Sequence, residues 1–240
     1  MNDASLQKMN QLKLFGMHRA YQGLLETSGP RQLTSDELVN LLVLSEWEDR
    51  ENRKINRSLR NARFRYQASL EEVDFTSQRN LDKNLILRFT DCSYIDCHEN
   101  ILVTGPTGVG KSYIASALGH QACMKTYKVL YCNTQRLFAR LKVARADGSY
   151  LKEMNRMERQ DLLILDDFGL QPLDTQNRML LMEIIEDRHE RKSTIISSQL
   201  PLEQWYDVIG ESTIADAILD RLFNGSHKII LKGYGNNLIM

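Results

Sequence analysis

Apolar positions along this chain follow two regimes. Through about residue 68 they recur at three- and four-residue intervals among many charged positions, the spacing of one helix face. Further on they also gather into short, nearly unbroken runs at Asn100–Thr104, Lys128–Cys132, Asp161–Asp167 and Thr194–Ser198. Runs so short and so apolar predict strands covered on both faces, the habit of parallel sheets. Helical spacing returns between them, from Tyr113 to Met124, and at Leu180, Leu181, Ile184, Ile185, Leu219 and Leu222, which are expected to face the core. Alternating strands and helices predict a three-layer α/β sandwich built on a parallel sheet, preceded by a small all-helical domain.

The helical part divides again. Leu6 to Leu25 reads as one helix stopped at Gly29-Pro30. A second opens at Thr34, where Glu37 completes a capping box and Leu33 and Leu38 stand in staple positions. The expected domains are residues 1–68 and 69–240. Ala68 to Phe75 joins them, either as a plain hydrophobic tether or as a turn that brings Phe75 to the adenine of a bound nucleotide.

Composition sets outer limits. The 240 residues are 42% hydrophobic, with 31 basic and 31 acidic side chains, so a sizeable core is available and net charge announces no partner. No eighteen-residue apolar stretch occurs, and Met1-Asn2-Asp3-Ala4 does not open a signal peptide, so a cytoplasmic location is expected. The four cysteines and five histidines lack metal-ligand spacing, and reduced thiols with no zinc site are expected.

The sharpest chemical signal is Gly105-Pro106-Thr107-Gly108-Val109-Gly110-Lys111-Ser112, set between a predicted strand and a predicted helix. Glycines at this spacing let backbone N–H groups curl around phosphates, Lys111 reaches the β- and γ-phosphates, and the Ser112 hydroxyl can ligate Mg²⁺. The following helix points its positive end at the same anion. ATP with Mg²⁺ is therefore the expected ligand. The run Leu162-Leu163-Ile164-Leu165-Asp166-Asp167 would deliver two acids to the carboxyl edge of the sheet, where ligands of open α/β folds collect. Asp166 is expected to hold Mg²⁺ beside Ser112, and Asp167 to orient the attacking water.

Net neutrality hides a local excess. Arg50, Arg53, Lys54, Arg57, Arg60, Arg63 and Arg65 face a single acid, Glu51, within Arg50–Arg65. Their steps of three and four place most on one helical stripe. Glu46 and Asp49 can pair at i,i+4 with Arg50 and Arg53. The last four arginines have no acid three or four residues before them, so duplex DNA is the expected partner, with an acidic protein surface second. Arg136, Arg140, Lys142 and Arg145 could extend that surface or form a solvated helix face.

Taken together, the phosphate loop, Leu162–Gly169, Thr194-Ile195-Ile196-Ser197-Ser198-Gln199-Leu200-Pro201 and Asp220-Arg221-Leu222-Phe223 resemble, in order and spacing, the IstB-type transposition helper ATPases. These are AAA+ P-loop NTPases of the initiator and helicase-loader clade. Glu46–Arg65 and Leu70–Phe75 are similar to that family's charged helix and linker. The resemblance implies that Gln199, with Ser198 as fallback, is a polar sensor of the γ-phosphate. It implies that Arg221 is an arginine finger serving the ATP of a neighbouring subunit, hence ATP-dependent homo-oligomers. It implies a chain that assembles on duplex DNA and recruits or regulates a transposase. Only nineteen residues follow Arg221, too few for a helical lid, and the catalytic acid is Asp167 where most AAA+ proteins have Glu, so slow, assembly-dependent hydrolysis is expected. The alternatives are a DnaC-type helicase loader and, from another class, a P-loop small-molecule kinase.

Overall fold

The computed structural model describes residues 2–26, 33–75 and 80–233. Gly29-Pro30 and residues 234–240, which carried two of the expectations above, lie outside the described residues. The chain divides into two compact units, Met1–Arg57 and Ser58–Met240. The division falls inside a helix, eleven residues ahead of the boundary expected at 68, because residues 58–68 pack with the second unit.

The first unit contains α1 (Asn2–Gln11), α2 (Phe15–Glu26) and most of α3 (Ser35–Ala62). The expected single helix over Leu6–Leu25 is broken. Lys13 takes a left-handed conformation at φ 59° and the chain restarts at Phe15. The break brings Gly16 against α3, where an added Cβ would lie 2.2 Å from the Ser45 carbonyl oxygen. No side chain fits there. The capping box at the start of α3 forms as expected: Thr34 N–H donates to Glu37 Oε2 at 2.8 Å, and Glu37 N–H to Thr34 Oγ1 at 3.3 Å.

The second unit continues with the short helices α4 (Lys83–Arg88) and α5 (Ser93–Asp96), then β1 (Asn100–Thr104) and α6 (Lys111–Met124). Next come β2 (Val129–Asn133), α7 (Thr134–Asp147), α8 (Tyr150–Glu158), β3 (Leu162–Phe168) and α9 (Thr175–Arg188). The run closes with β4 (Ser193–Ser198), α10 (Trp205–Ile209), α11 (Ser212–Phe223) and β5 (Ser226–Ile230). The five strands among the described residues are all parallel, in the order β2-β3-β4-β1-β5.

Successive strand residues point to opposite faces, so each strand feeds two cores. Ile101, Val103, Ile164 and Ile195 pack on one side with Ile114 and Leu118 of α6. Leu102, Leu163, Leu165 and Ile196 pack on the other with Leu141, Leu180, Ile184 and Trp205. This is the three-layer sandwich the pattern predicts. Burial of the central strands is complete at Ile101, Leu163 and Ile195, each 0% exposed, and at ~2 kcal/mol per fully buried aliphatic side chain these positions dominate the stability of the unit.

Candidate functional site

Crossovers in a parallel sheet return every strand in the same direction, so β1, β3 and β4 all end at one edge. The phosphate loop, the acid pair and Gln199 meet there because each follows or ends one of those strands. Three loop glycines sit at positive φ: Gly105 at 149°, Gly108 at 83° and Gly110 at 95°. Gly105 has a second constraint, since a Cβ on it would lie 2.5 Å from the Leu231 carbonyl oxygen just beyond β5. Leu231 N–H in turn donates to the Thr104 carbonyl at 2.8 Å, holding the entry to the loop.

Inside the loop Lys111 begins α6 and is 7% exposed, and its Nζ donates to the Pro106 carbonyl at 2.7 Å. Burial pulls its pKa below the ordinary lysine value, against the attraction of Asp166 and Asp167. Val109 is buried beneath the loop, and Thr107 Oγ1 donates to Gln199 Oε1 at 2.8 Å. Thr107, Gly108, Gly110, Lys111, Ser112 and Gln199 line a cavity of about 450 Å³.

The Ser112 hydroxyl donates to Asp166 Oδ1 at 2.9 Å, joining the loop to β3. Asp166 is fully buried and takes two further hydroxyl donors, Tyr131 and Ser197, from the neighbouring strands β2 and β4. Desolvation, reinforced by that bond to Asp166, pushes the Tyr131 hydroxyl far above its ordinary pKa, so Tyr131 acts as a fixed donor. Asp167 differs in every respect. It is partly open, stands at φ 57°, and adjoins a register shift between β3 and β4. Left-handed backbone in a non-glycine residue beside a bulge is strain of the kind that clusters at functional sites. Its Oδ2 accepts from Asn133 Nδ2 at 2.9 Å and from Arg65 Nη1 at 3.2 Å.

Several expectations therefore change. Arg65 does not stand free for DNA; its guanidinium also lies 3.8 Å from Asp166, because α3 ends at Ala62 and the chain turns into the second unit. The helical stripe consequently stops short of Arg63, which is left-handed at φ 60°. Arg60 has a partner as well. Arg50 and Arg53 pair with Glu46 and Asp49 as read from the sequence, at 2.7 Å in both cases. Among the later basic residues Arg140, Lys142 and Arg145 pair with Glu153, Asp174 and Glu183. Ser198 is not turned to the phosphates: fully buried, it donates to the Phe168 carbonyl at 2.8 Å and caps the Leu200 N–H. Phe75, expected either in a tether or against adenine, packs on the first core layer with Lys83 Nζ 5.9 Å above its ring.

Arg221 stands near the opposite edge of the sheet. Its carbonyl is within 3.4 Å of Asn100 Nδ2 at the start of β1, one strand length, or about 15 Å, from the loop. Its Nε pairs with Glu186 Oε2 at 2.7 Å, Nη1 donates to the Ala217 carbonyl at 2.9 Å, and the side chain is 25% exposed. Its side chain is too far from the phosphate loop of its own chain to reach it.

Comparison with known proteins resolves the lineage. The family model described as IstB-like ATP binding protein matches residues 7–238. The chain belongs to that family. It is 46% identical over 229 residues to the insertion sequence ATP-binding protein y4pL of Sinorhizobium fredii, covering 95% of this chain and 94% of the relative. It is 29% identical over 225 residues to the insertion sequence IS21 ATP-binding protein of Pseudomonas aeruginosa, covering 94% and 85%. Among solved structures, the DnaC helicase loader superposes with a TM-score of 0.61 at 23% identity, over 70% of this chain and 98% of that one, which shows a shared fold. No helix among the described residues of this IstB-like chain is long and apolar enough to cross a membrane.

Proposed function

We propose that this IstB-like protein is an ATP-dependent switch that assembles on duplex DNA and recruits or regulates a transposase, hydrolysing ATP slowly to disassemble. The observation that carries this reading is the bond from Ser112 to Asp166, which couples a glycine-rich phosphate cradle to a buried acid at the sheet edge. A hydroxyl and a fully buried carboxylate at 2.9 Å are hard oxygen donors of the sort Mg²⁺ takes. Ser112 and Asp166 would hold Mg²⁺, directly or through water, and the bound ion would neutralise charge on the phosphates.

The chain's own residues supply the rest. Lys111 presents a cation in a partly desolvated setting, where it counts for more than in water. Asp167 orients the attacking water and Gln199, at the mouth of the same cavity, reads the γ-phosphate. Arg221, remote from its own loop, serves the site of an adjoining protomer, where such a finger is worth about 10³ to 10⁵ in rate in other NTPases. Its ion pair with the half-exposed Glu186 is one that a triphosphate can outcompete. Similarity over nearly the whole chain to insertion-sequence ATP-binding proteins favours the transposition role over helicase loading.

Mixing two inactive variants tests the assembly. Lys111→Ala lacks the cradle and Arg221→Ala lacks the finger, so each alone is expected to be inactive while the mixture regains part of the hydrolysis on duplex DNA. Electron microscopy should show ordered particles on DNA with ATP and none with ADP. A silent mixture, or particles indifferent to nucleotide and to both substitutions, overturns the proposal.

A further inference from the structure

Beside the phosphate cavity opens a second one, of about 560 Å³. Four arginines line it, Arg63, Arg65, Arg136 and Arg140, against one acid, Asp167. Arg65 and Asp167 are the two residues shared with the phosphate cavity, so their ion pair forms part of the wall between the two. The acid is thereby matched to Arg65 at 3.2 Å, and Arg140 to Glu153 at 3.1 Å. Among the described residues no acid pairs with Arg63 or Arg136, and both are exposed. The cavity therefore keeps an excess of two guanidinium charges whose fork geometry suits phosphate oxygens. Phe64 braces the back wall, set edge-on to Tyr131 with ring centroids 6.4 Å apart.

The pair at the wall has a chemical cost. Asp167 is the acid assigned to the attacking water, yet its Oδ2 already accepts from both Arg65 and Asn133. A guanidinium bonded to that oxygen occupies an acceptor position that the water would use. Arg65 is half exposed and rests on the Tyr66 ring at 5.4 Å, so it is held by surface contacts that a second anion can replace.

We infer that the arginine-lined cavity receives a backbone phosphate of nucleic acid, and that Arg65 then transfers from Asp167 to that phosphate, relieving the acid of its cationic partner for hydrolysis while Asn133 still holds it. Arg63 and Arg136 supply the unmatched charge that first attracts the phosphodiester. The inference rests on the reading of Asp167 as the water-orienting acid and of DNA as partner, and adds how DNA is sensed. It makes Arg65 a positioning residue acting through Asp167.

The test is steady-state ATP hydrolysis by the full chain without DNA, with linear duplex DNA, with inorganic phosphate and with polyglutamate. In wild type, duplex DNA is expected to raise the rate about tenfold, the effect of removing some 1.4 kcal/mol from the barrier. Arg65→Ala should raise the DNA-free rate by a similar factor and bring the ratio of rates with and without DNA close to one. Arg136→Ala should also give a ratio near one, but by letting the rate in DNA fall to its own DNA-free rate; this second variant decides the matter should Arg65→Ala not fold. A slower DNA-free rate in Arg65→Ala, a wild-type ratio in Arg136→Ala, or equal stimulation by phosphate or polyglutamate overturns the inference. Normal particles on DNA with an ATPase that ignores DNA sinks this inference alone, whereas no DNA binding by wild type sinks the proposed function with it.

Discussion

Two places in this chain set arginines against a pair of acids, and they behave oppositely. In the N-terminal unit Glu46, 5% exposed, accepts the Gly16 and Met17 N–H groups at the start of α2 at 2.9 and 3.4 Å, while Arg50 and Arg53 approach its other oxygen. Asp49 does the same for Arg19 and Arg53. Glu46 and Asp49 each join α3 to α2 while their Arg50 and Arg53 partners lie on α3 itself, and the open α2 backbone N–H groups gain a carboxylate where the helix dipole favours one. In the second unit Asp166 is saturated by hydroxyls, and Asp167, in strained backbone, is bonded by two side chains, Asn133 and Arg65, one of them half exposed. The first arrangement is a brace with nothing left over. The second keeps one acid in reserve.

That contrast breaks most visibly at Asp166. Asp166→Asn should cut hydrolysis by about 10² to 10³, the usual loss when a preorganised charge is removed from such a site, with the chain still folded by circular dichroism. Glu46→Ala should do the reverse. It strands the Gly16 and Met17 N–H groups and removes charge-assisted bonds, costing the N-terminal unit about 2 to 3 kcal/mol, read as faster hydrogen exchange in α2, with hydrolysis without DNA unaltered.

Acid sharpens the same distinction. Burial alone would raise the Glu46 carboxyl, but bonds from Arg50, Gly16 and Met17 outweigh it and hold it below the usual carboxylate range; for Asp49 the Arg19 bond leads in the same direction. A lowered folded-state pKa contributes stability that is present above the unfolded value and is lost as pH falls through the folded one. Protection of the α2 amides is therefore expected to fade below pH about 4. A smaller effect is expected at Tyr131→Phe, which removes one of three donors to Asp166 and should cost about 1 kcal/mol of stability with a severalfold fall in rate. Smallest is Thr34→Ala, about 1 kcal/mol or less at an exposed capping box, measurable in the same exchange experiment.

Much of this was legible in the residues. Four of the five strands and the convergence of Lys111, Ser112, Asp166 and Gln199 follow from apolar runs that end in polar residues, because parallel crossovers deliver those ends to one edge. The fifth strand was not read from the sequence. Ser226–Ile230 lies at the sheet's edge with one buried position among five, so it lacks the unbroken apolar signature of its neighbours. The break at Lys13 was invisible because periodicity continues across a short turn. The pairing of Arg65 was hidden for a different reason: its acid lies 102 residues away, whereas sequence reasoning looks for partners a helical turn apart. Tyr131 and Asn133 could have been found by asking what stands beside Asp166 on the adjacent strand, since β2 and β3 pair Asn133 with Asp166.

The close fit of Gly105 against Leu231 has a consequence for how the molecule comes into being. Translation delivers the phosphate loop early, but the carbonyl that seats its first glycine and the amide that pins Thr104 arrive more than 120 residues later. A nascent chain therefore cannot seat Gly105 in this way until Leu231, just past the edge strand, has emerged behind it.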